Sequence, residues 1–213
     1  MPRLTREQVR EMCAEREAGK LQDLWLNNTD LSGLDLADLD LRGAQLREAN
    51  LSGANLQKAN LSQANLQQAN LSLADLRNVH LYEATVTDAD LTEANLTFAY
   101  MGRADFTGSK FPGANLTMVD ARKANLSVAD LRRATLREAK LNGANLELAD
   151  LTGARLSGAN LSAVNAKGAK LNRADLHNAD LTNANLKGAD LTGADLNGAI
   201  LTGAIMSDGN KHR

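Results

Sequence analysis

From Leu26 to Met206 every fifth residue is apolar, thirty-seven times without a slip. Thirty of these central residues are Leu; the others are Val86, Met101, Phe106, Phe111, Ala121, Ala166 and Met206. Two residues before each, from Ala44 to Ala204, stands Ala in twenty-nine of thirty-three cases, the exceptions being Val79, Ser109, Val119 and Val164. A period of five matches neither the 3.6 of a helix nor the 2.0 of a long flat strand, so neither can run the length of this chain. Internal repetition at a fixed period sets the architecture ahead of any local propensity.

Within one repeat, Ala-Asn-Leu reads as a short extended segment. Alternate side chains of a strand share a face, which puts Ala and Leu inside and Asn or Asp outside. The two residues after the central one must then turn the chain. Thirteen of the sixteen glycines stand at the second of these, among them Gly33, Gly53, Gly143, Gly193 and Gly203, where a type II turn needs φ > 0. Pro112, the only proline inside the repeat, sits one residue earlier and is followed by Gly113, as such a turn prefers. Corners carrying Glu48, Gln63 or Arg133 in place of Gly are expected to use another turn type.

The pattern, as in Ala49-Asn50-Leu51 and Ala189-Asp190-Leu191, resembles the pentapeptide-repeat family, whose consensus is A(N/D)LXX, over about 85% of the chain. Spacing alone shows corners. The resemblance implies how many close a turn: an all-β, right-handed quadrilateral β-helix with twenty residues per coil. That gives about nine coils rising roughly 4.8 Å each, a rod somewhat over about 40 Å long. Four Leu and four Ala per coil would fill the tube and account for an aromatic content of only 3%, the interior being too narrow for rings. The exceptions follow volume: Ala121 and Ala166 are preceded by Val119 and Val164, and the larger Phe111 by Ser109, exchanges that a dense interior tolerates. Val79 beside Leu81 has no such counterpart.

Stacked coils leave open ladder edges at both ends, which β-proteins cover. Thr5 with Gln8 three residues on is a capping-box signal, Val9, Met12 and Cys13 share a helical face, and Gly19 reads as the stop. Residues 1–23 are therefore expected to form a capping helix, near 6–18, and its connection, on a first coil where Leu24, Leu34 and Leu39 replace Ala. Cys13 is expected as a buried packing residue, and Trp25 as closing the junction of helix and coil. Residues 24–206 form the solenoid and 207–213 the tail. Ile200 and Ile205 occupy outward positions that are Asn or Asp nearly everywhere else, and Met206 precedes a turn. Either the tail folds back over the last coil or these side chains make a contact between two copies, so the chain is a monomer or a C-terminal homodimer. The folded tail is preferred. The segment from Gly203 to His212 is similar to the ending of many cyanobacterial pentapeptide-repeat proteins, including inhibitors of heterocyst differentiation, whereas several gyrase-protecting members dimerise through C-terminal coils.

Chemistry has little to work with. His80, His177 and His212 fall on different expected faces or in the tail, so no triad or metal pair assembles from them. The single Cys13 excludes an internal disulfide and a cysteine-based zinc site. The glycines mark corners rather than phosphate loops, and the recurrent Asp and Asn are expected to bond neighbouring backbone there. No catalytic residue, cofactor site or metal site is expected. No apolar run approaches the roughly 18 residues of a membrane span, and Met1 to Thr5 runs into charged sequence without a signal-peptide core, so a soluble, cytoplasmic protein is expected.

Charge is more informative than the net value of −2. Residues 24–100 carry four Lys/Arg against ten Asp/Glu, residues 101–173 twelve against six, and residues 174–213 three against five. The middle third is therefore a basic belt built around Arg103, Lys110, Arg122, Lys123, Arg132, Arg133, Arg137 and Lys140, expected to circle the rod. Outward apolar residues twenty apart, Phe98 with Met118 and Val128 with Leu148, would stack into small stripes. These features favour a non-enzymatic protein-interaction scaffold whose protein partner the residues do not name. The resemblance also implies DNA mimicry and protection of DNA gyrase, disfavoured because no face is uniformly acidic. Nucleic-acid binding by the belt is disfavoured too, since aromatic stacking partners are missing beside its arginines.

Overall fold

The computed structural model describes residues 1–212; Arg213, the end of the expected tail, lies outside them. Each bridge joins a residue to the one twenty positions on, from Trp25 with Gln45 to Asn185 with Ile205, all parallel, in a right-handed β-helix. The coil length that the five-residue period left open is thus twenty. The first, second, third and fourth faces begin at Leu26, Leu31, Leu36 and Leu41, and each recurs every twenty residues. A face is too short for a long strand, so each contributes one bridged residue per coil.

Three bonds per repeat hold coil to coil. In mid-rod the Leu96 N–H donates to the Asn115 carbonyl (2.7 Å), the Asn115 N–H to Ala94 (2.9 Å) and the Gly113 N–H to Arg132 (3.1 Å). The last of these comes from the corner itself. All thirty-six corner residues from Asn28 to Gly203 have positive φ, between 53° and 74°. Glu48 (58°), Gln63 (60°) and Arg133 (58°) therefore adopt the same left-handed corner as the glycines, not the different turn their side chains suggested. The stack imposes the geometry: each corner amide must reach the carbonyl one coil on, as Glu48 does to Gln67 and Arg133 to Thr152. That bond offsets the roughly 1–2 kcal/mol that an L-residue loses in the left-handed region.

The outward Asn and Asp do bond neighbouring backbone: Asn115 Oδ1 accepts from the Thr117 N–H (3.1 Å), and the same contact recurs along the rod. On the first face they also bond one another across coils. The amides of Asn125, Asn145, Asn165 and Asn185 each donate to the residue one coil earlier, at 3.0 to 3.2 Å.

Central residues from Leu26 to Leu186 and their partners from Ala44 to Ala189 are buried throughout. The interior nevertheless admits rings. Phe106 and Phe111 are fully buried on adjacent faces of one coil, tilted at 57° with centroids 5.5 Å apart, a favourable aromatic geometry. Volume is returned nearby by Ser109 and by Ala121, one coil above Met101. Ser109 does more than save space. Its hydroxyl donates to the Val86 carbonyl and accepts from the Ala89 N–H (3.2 Å), inserting itself into the corner one coil below. Nothing in the structure explains Val79.

The N-terminal end is covered by α1 (Arg6–Glu17) with Thr5 and Gln8 forming the capping box. Gly19 ends it at φ 70°, with the Lys20 N–H donating to Glu15 and the Gly19 N–H to Arg16, the Schellman pattern. Val9 and Cys13 are buried in one core with Leu24, and Met12, Leu34 and Leu39 pack half-buried against it. Two further contacts cap the edge. Residues 2–4 pair with Asp30 on the second face, the Asp30 N–H donating to Pro2 and the Leu4 N–H to Asp30. The Arg16 guanidinium donates to the Asp40 and Arg42 carbonyls (2.7 and 2.5 Å) on the fourth. Trp25 does not close this junction: at 64% exposure it points outward from the first face, because the alternation that buries Leu24 and Leu26 turns residue 25 out.

Candidate functional site

The structure does not bring the expected site residues to one place. Val128 and Leu148 lie on the corner after the first face, Arg132 and Arg133 after the second, Phe98, Met118 and Arg137 after the third, and Arg122 and Lys123 after the fourth, with Lys140 on the fourth face itself. The belt circles the rod, and the two apolar stripes sit on diagonally opposite corners. Within each stripe the members stand one coil apart and are exposed, Val128 by 58% and Leu148 by 59%. All four have positive φ, including the β-branched Val128 at 60°. Leu73, exposed on the corner after the second face, is a further outward apolar residue that the pairing rule missed, since no apolar residue stands twenty positions from it.

Three of the eight belt residues, Arg103, Arg122 and Arg132, stand within ion-pair distance of a carboxylate. Arg122 forks onto Asp120 (2.8 and 2.7 Å) and Arg132 onto Asp130 (2.8 and 2.6 Å), two residues earlier in each chain segment. The guanidinium bonds hold both carboxyls below the ordinary range, and Asp40 with Arg42 and Asp75 with Arg77 repeat the arrangement. Among the described residues Lys123, Arg133, Arg137 and Lys140 have no ion-pair partner within 4 Å.

Aromatic partners are not missing beside the arginines. The twenty-residue coil carries Tyr82 and Tyr100 to the fourth face and its corner, where with Gly102, Arg103, Asp120, Arg122, Lys123 and Asn142 they line a cavity of about 420 Å³ open to solvent. Tyr100 stacks on His80 one coil below, centroids 4.7 Å apart and planes within 18°. Sequence order hides this cluster because its members are spread over sixty residues, from Tyr82 to Asn142. The tell-tale was available in Gly102, the one glycine inside the repeat that is off the corner position.

At the other end the tail folds back. Ile205 pairs antiparallel with Lys211, the Met206 N–H donates to Asn210 and the His212 N–H to Ala204. Met206 is half-buried by this turn and Ile205 is 38% exposed, but Ile200, one face away, stays 52% exposed. The tail covers the first face and the Gly203 corner before it only. Cys13 is buried on the inner face of α1, and that desolvation pushes its thiol pKa up. Among the described residues no three His, Cys, Asp or Glu side chains gather where they could hold a metal ion, and no helix is long and apolar enough to cross a membrane.

The family profile described as pentapeptide repeats matches in eight copies across residues 20–53, 54–92, 89–127, 129–168 and 169–208. HetL of the cyanobacterium Nostoc sp. strain PCC 7120, a pentapeptide repeat protein involved in heterocyst differentiation regulation, is 34% identical over 96% of this chain and 99% of its own, with a TM-score of 0.54. QnrB1, a plasmid-mediated fluoroquinolone resistance protein, is 19% identical over 93% of this chain and 88% of its own, with a TM-score of 0.53, and shares the fold. A pentapeptide repeat protein of the Arabidopsis thaliana thylakoid lumen is 39% identical over 50% of this chain and 73% of its own, with a TM-score of 0.46. No curated protein matches. With the repeat profile matching nearly the whole length of a tube whose coils close every twenty residues, the chain belongs to the pentapeptide-repeat family.

Proposed function

We propose that this chain is a non-enzymatic protein-interaction scaffold, a stiff rod presenting outward side chains to a protein partner at one-coil spacing. The observation that carries this reading is the Val128–Leu148 pair. A β-branched residue held in the left-handed region costs about 1–3 kcal/mol, and Gly or Asn would serve that corner better. Leu148 covers Gly168 one coil on, yet more than half of each side chain of the pair stays in solvent. Strain retained at an exposed apolar pair supports a contact made outside the chain. Phe98 with Met118 is the second such stripe, and the basic residues around the rod supply the polar surroundings of both. The full-length likeness to HetL, a protein involved in a regulatory process, supports regulation by binding. Residues 24–206 are the presenting unit, with 1–23 and 207–213 as end pieces. Cytoplasmic localisation is part of the proposal, and cell fractionation checks it.

The test separates strain from contact. Val128→Asn combined with Leu148→Asn is expected to raise the thermal midpoint, relieving about 1 kcal/mol or more, and to lose a partner that the wild-type rod retains from a native lysate. If the double variant keeps that partner, the contact does not lie at this corner. Phe98→Asp with Met118→Asp then decides whether it lies on the opposite one.

A further inference from the structure

Gly102 is the glycine of the repeat that the fold does not require. The thirteen corner glycines all have positive φ, whereas Gly102 stands one residue earlier and outside the left-handed region. A Cβ at 102 would meet two Tyr82 ring carbons at 3.5 and 3.8 Å and the Arg122 carbonyl at 3.7 Å, ordinary contact distances. Ser, Thr or Asn, which fill the equivalent position in many other coils, would therefore be accommodated. What glycine does at 102 is remove a rung. Ser62, Tyr82, Gly102, Arg122 and Asn142 form one row, a residue per coil, so the Tyr82 and Arg122 levels are two coil rises, about 9.6 Å, apart. Into this space leans the Tyr82 ring, whose edge lies where a side chain at 102 would make contact.

The walls of this notch are chemically specific. Tyr82 leans over Gly102 from below, and Tyr100, held by its stack on His80, stands beside it. Asp120 grips the Arg122 guanidinium through two bonds and fixes its plane from above. Arg103 and Lys123 flank the opening in the next row. Arg103 reaches Glu83 only at 3.7 Å, and Lys123 has no ion-pair partner among the described residues. Three cations against one carboxylate line the cavity, whose ≈ 420 Å³ falls within the span of small-molecule sites.

We propose that this notch binds a free mononucleotide. The base stacks on the tyrosine rings that line the cavity with the Arg122 guanidinium beside it, as nucleobases are held by aromatic and arginine planes, and the phosphate lies on Arg103 and Lys123. A cavity of about 420 Å³ suits one small molecule rather than an extended peptide. A nucleic-acid strand would need a succession of stacking platforms, and Tyr82 and Tyr100 are the only tyrosines in the chain. The site stands apart from the Val128–Leu148 corner and does not depend on the partner reading.

Because both tyrosines line the cavity, ring-labelled tyrosine gives an NMR spectrum of two residues that reports on this site alone. Titration with AMP is expected to shift both ring signals, with adenosine and inorganic phosphate each binding at least about tenfold more weakly, since stacking and charge each contribute a factor of that order. Gly102→Thr is expected to restore the missing rung, leave the thermal midpoint unchanged and weaken AMP binding by about tenfold or more. Arg103→Gln with Lys123→Gln should weaken AMP and phosphate but not adenosine. The proposal is overturned if AMP at millimolar concentration moves neither tyrosine, if Gly102→Thr binds AMP as the wild type does, or if phosphate alone binds as tightly as AMP. A short single-stranded oligonucleotide binding tenfold tighter than AMP would overturn the assignment to a free nucleotide.

Discussion

Asp120 and Asp130 show how much one residue position does in this fold. Each stands outward at the middle of its face, accepts from the backbone N–H two residues on and is gripped by the arginine at that same position. With Asp40 and Asp75 they form four carboxyls that the adjacent guanidinium holds below the usual aspartate value. Because the unfolded chain titrates nearer that value, it binds more protons than the fold as the pH drops, so the stability these groups add is complete above about pH 5 and is lost as the pH falls through their folded values. The arginines are half-exposed, which limits what each pair contributes. Melting curves are expected to be flat from about pH 7 to pH 5 and to fall below about pH 4, and Arg122→Gln should shrink that fall. An equal fall in the variant would remove the Asp120 pair as its cause. The same scale explains two surprises. The Asp-x-Arg spacing was visible in the sequence, but the hydrogen-bonding reason for Ser109 was not, because its partners Val86 and Ala89 lie a full coil away.

Among the elements, α1 was the most legible. Its start is written in Thr5 and Gln8, its buried face in Val9 and Cys13 and its end in Gly19, all local signals that the structure repeats. How it seals the tube was not legible. The edge it meets exposes the Asp40 and Arg42 carbonyls, and Arg16 is positioned over them only once the chain has turned through most of a coil. Arg16→Met keeps the apolar stem but strips both carbonyls of their donors, at an expected cost of about 1–3 kcal/mol. Chemical denaturation measures it, and a variant as stable as the wild type would show that water serves those carbonyls equally well. The corners teach the converse lesson. Side-chain identity suggested two kinds of turn, while one interturn bond per corner enforces a single conformation on glycine, glutamate and arginine alike.

At the scale of the whole molecule, the two ends differ. The N-terminal edge has α1, residues 2–4 and Arg16, whereas the tail after Met206 pairs only with the first face and the Gly203 corner before it. The N–H groups of Leu191, Gly193, Leu196, Gly198 and Leu201 have no backbone partner among the described residues, and Leu191, Leu196 and Leu201 are only half-buried. Since a solenoid's coils are stabilised by their neighbours, opening is expected to start here. Hydrogen exchange should be fastest for the amides of 191–201 and slowest in mid-rod. Uniform protection of 191–201 at high protein concentration would instead mean that a second copy covers this end. The sequence by itself determined that the chain turns every five residues, which side chains fill the interior and where the helical cap begins and ends, because a five-residue period and a capping box are local rules that each repeat or turn obeys alone. Only the tertiary structure decided which outward residues are neighbours. With coils closing every twenty residues, contact on the outer wall joins positions far apart in the chain. Tyr82, Gly102 and Arg122 thus become one site, while Val128–Leu148 and Phe98–Met118 are sent to opposite corners.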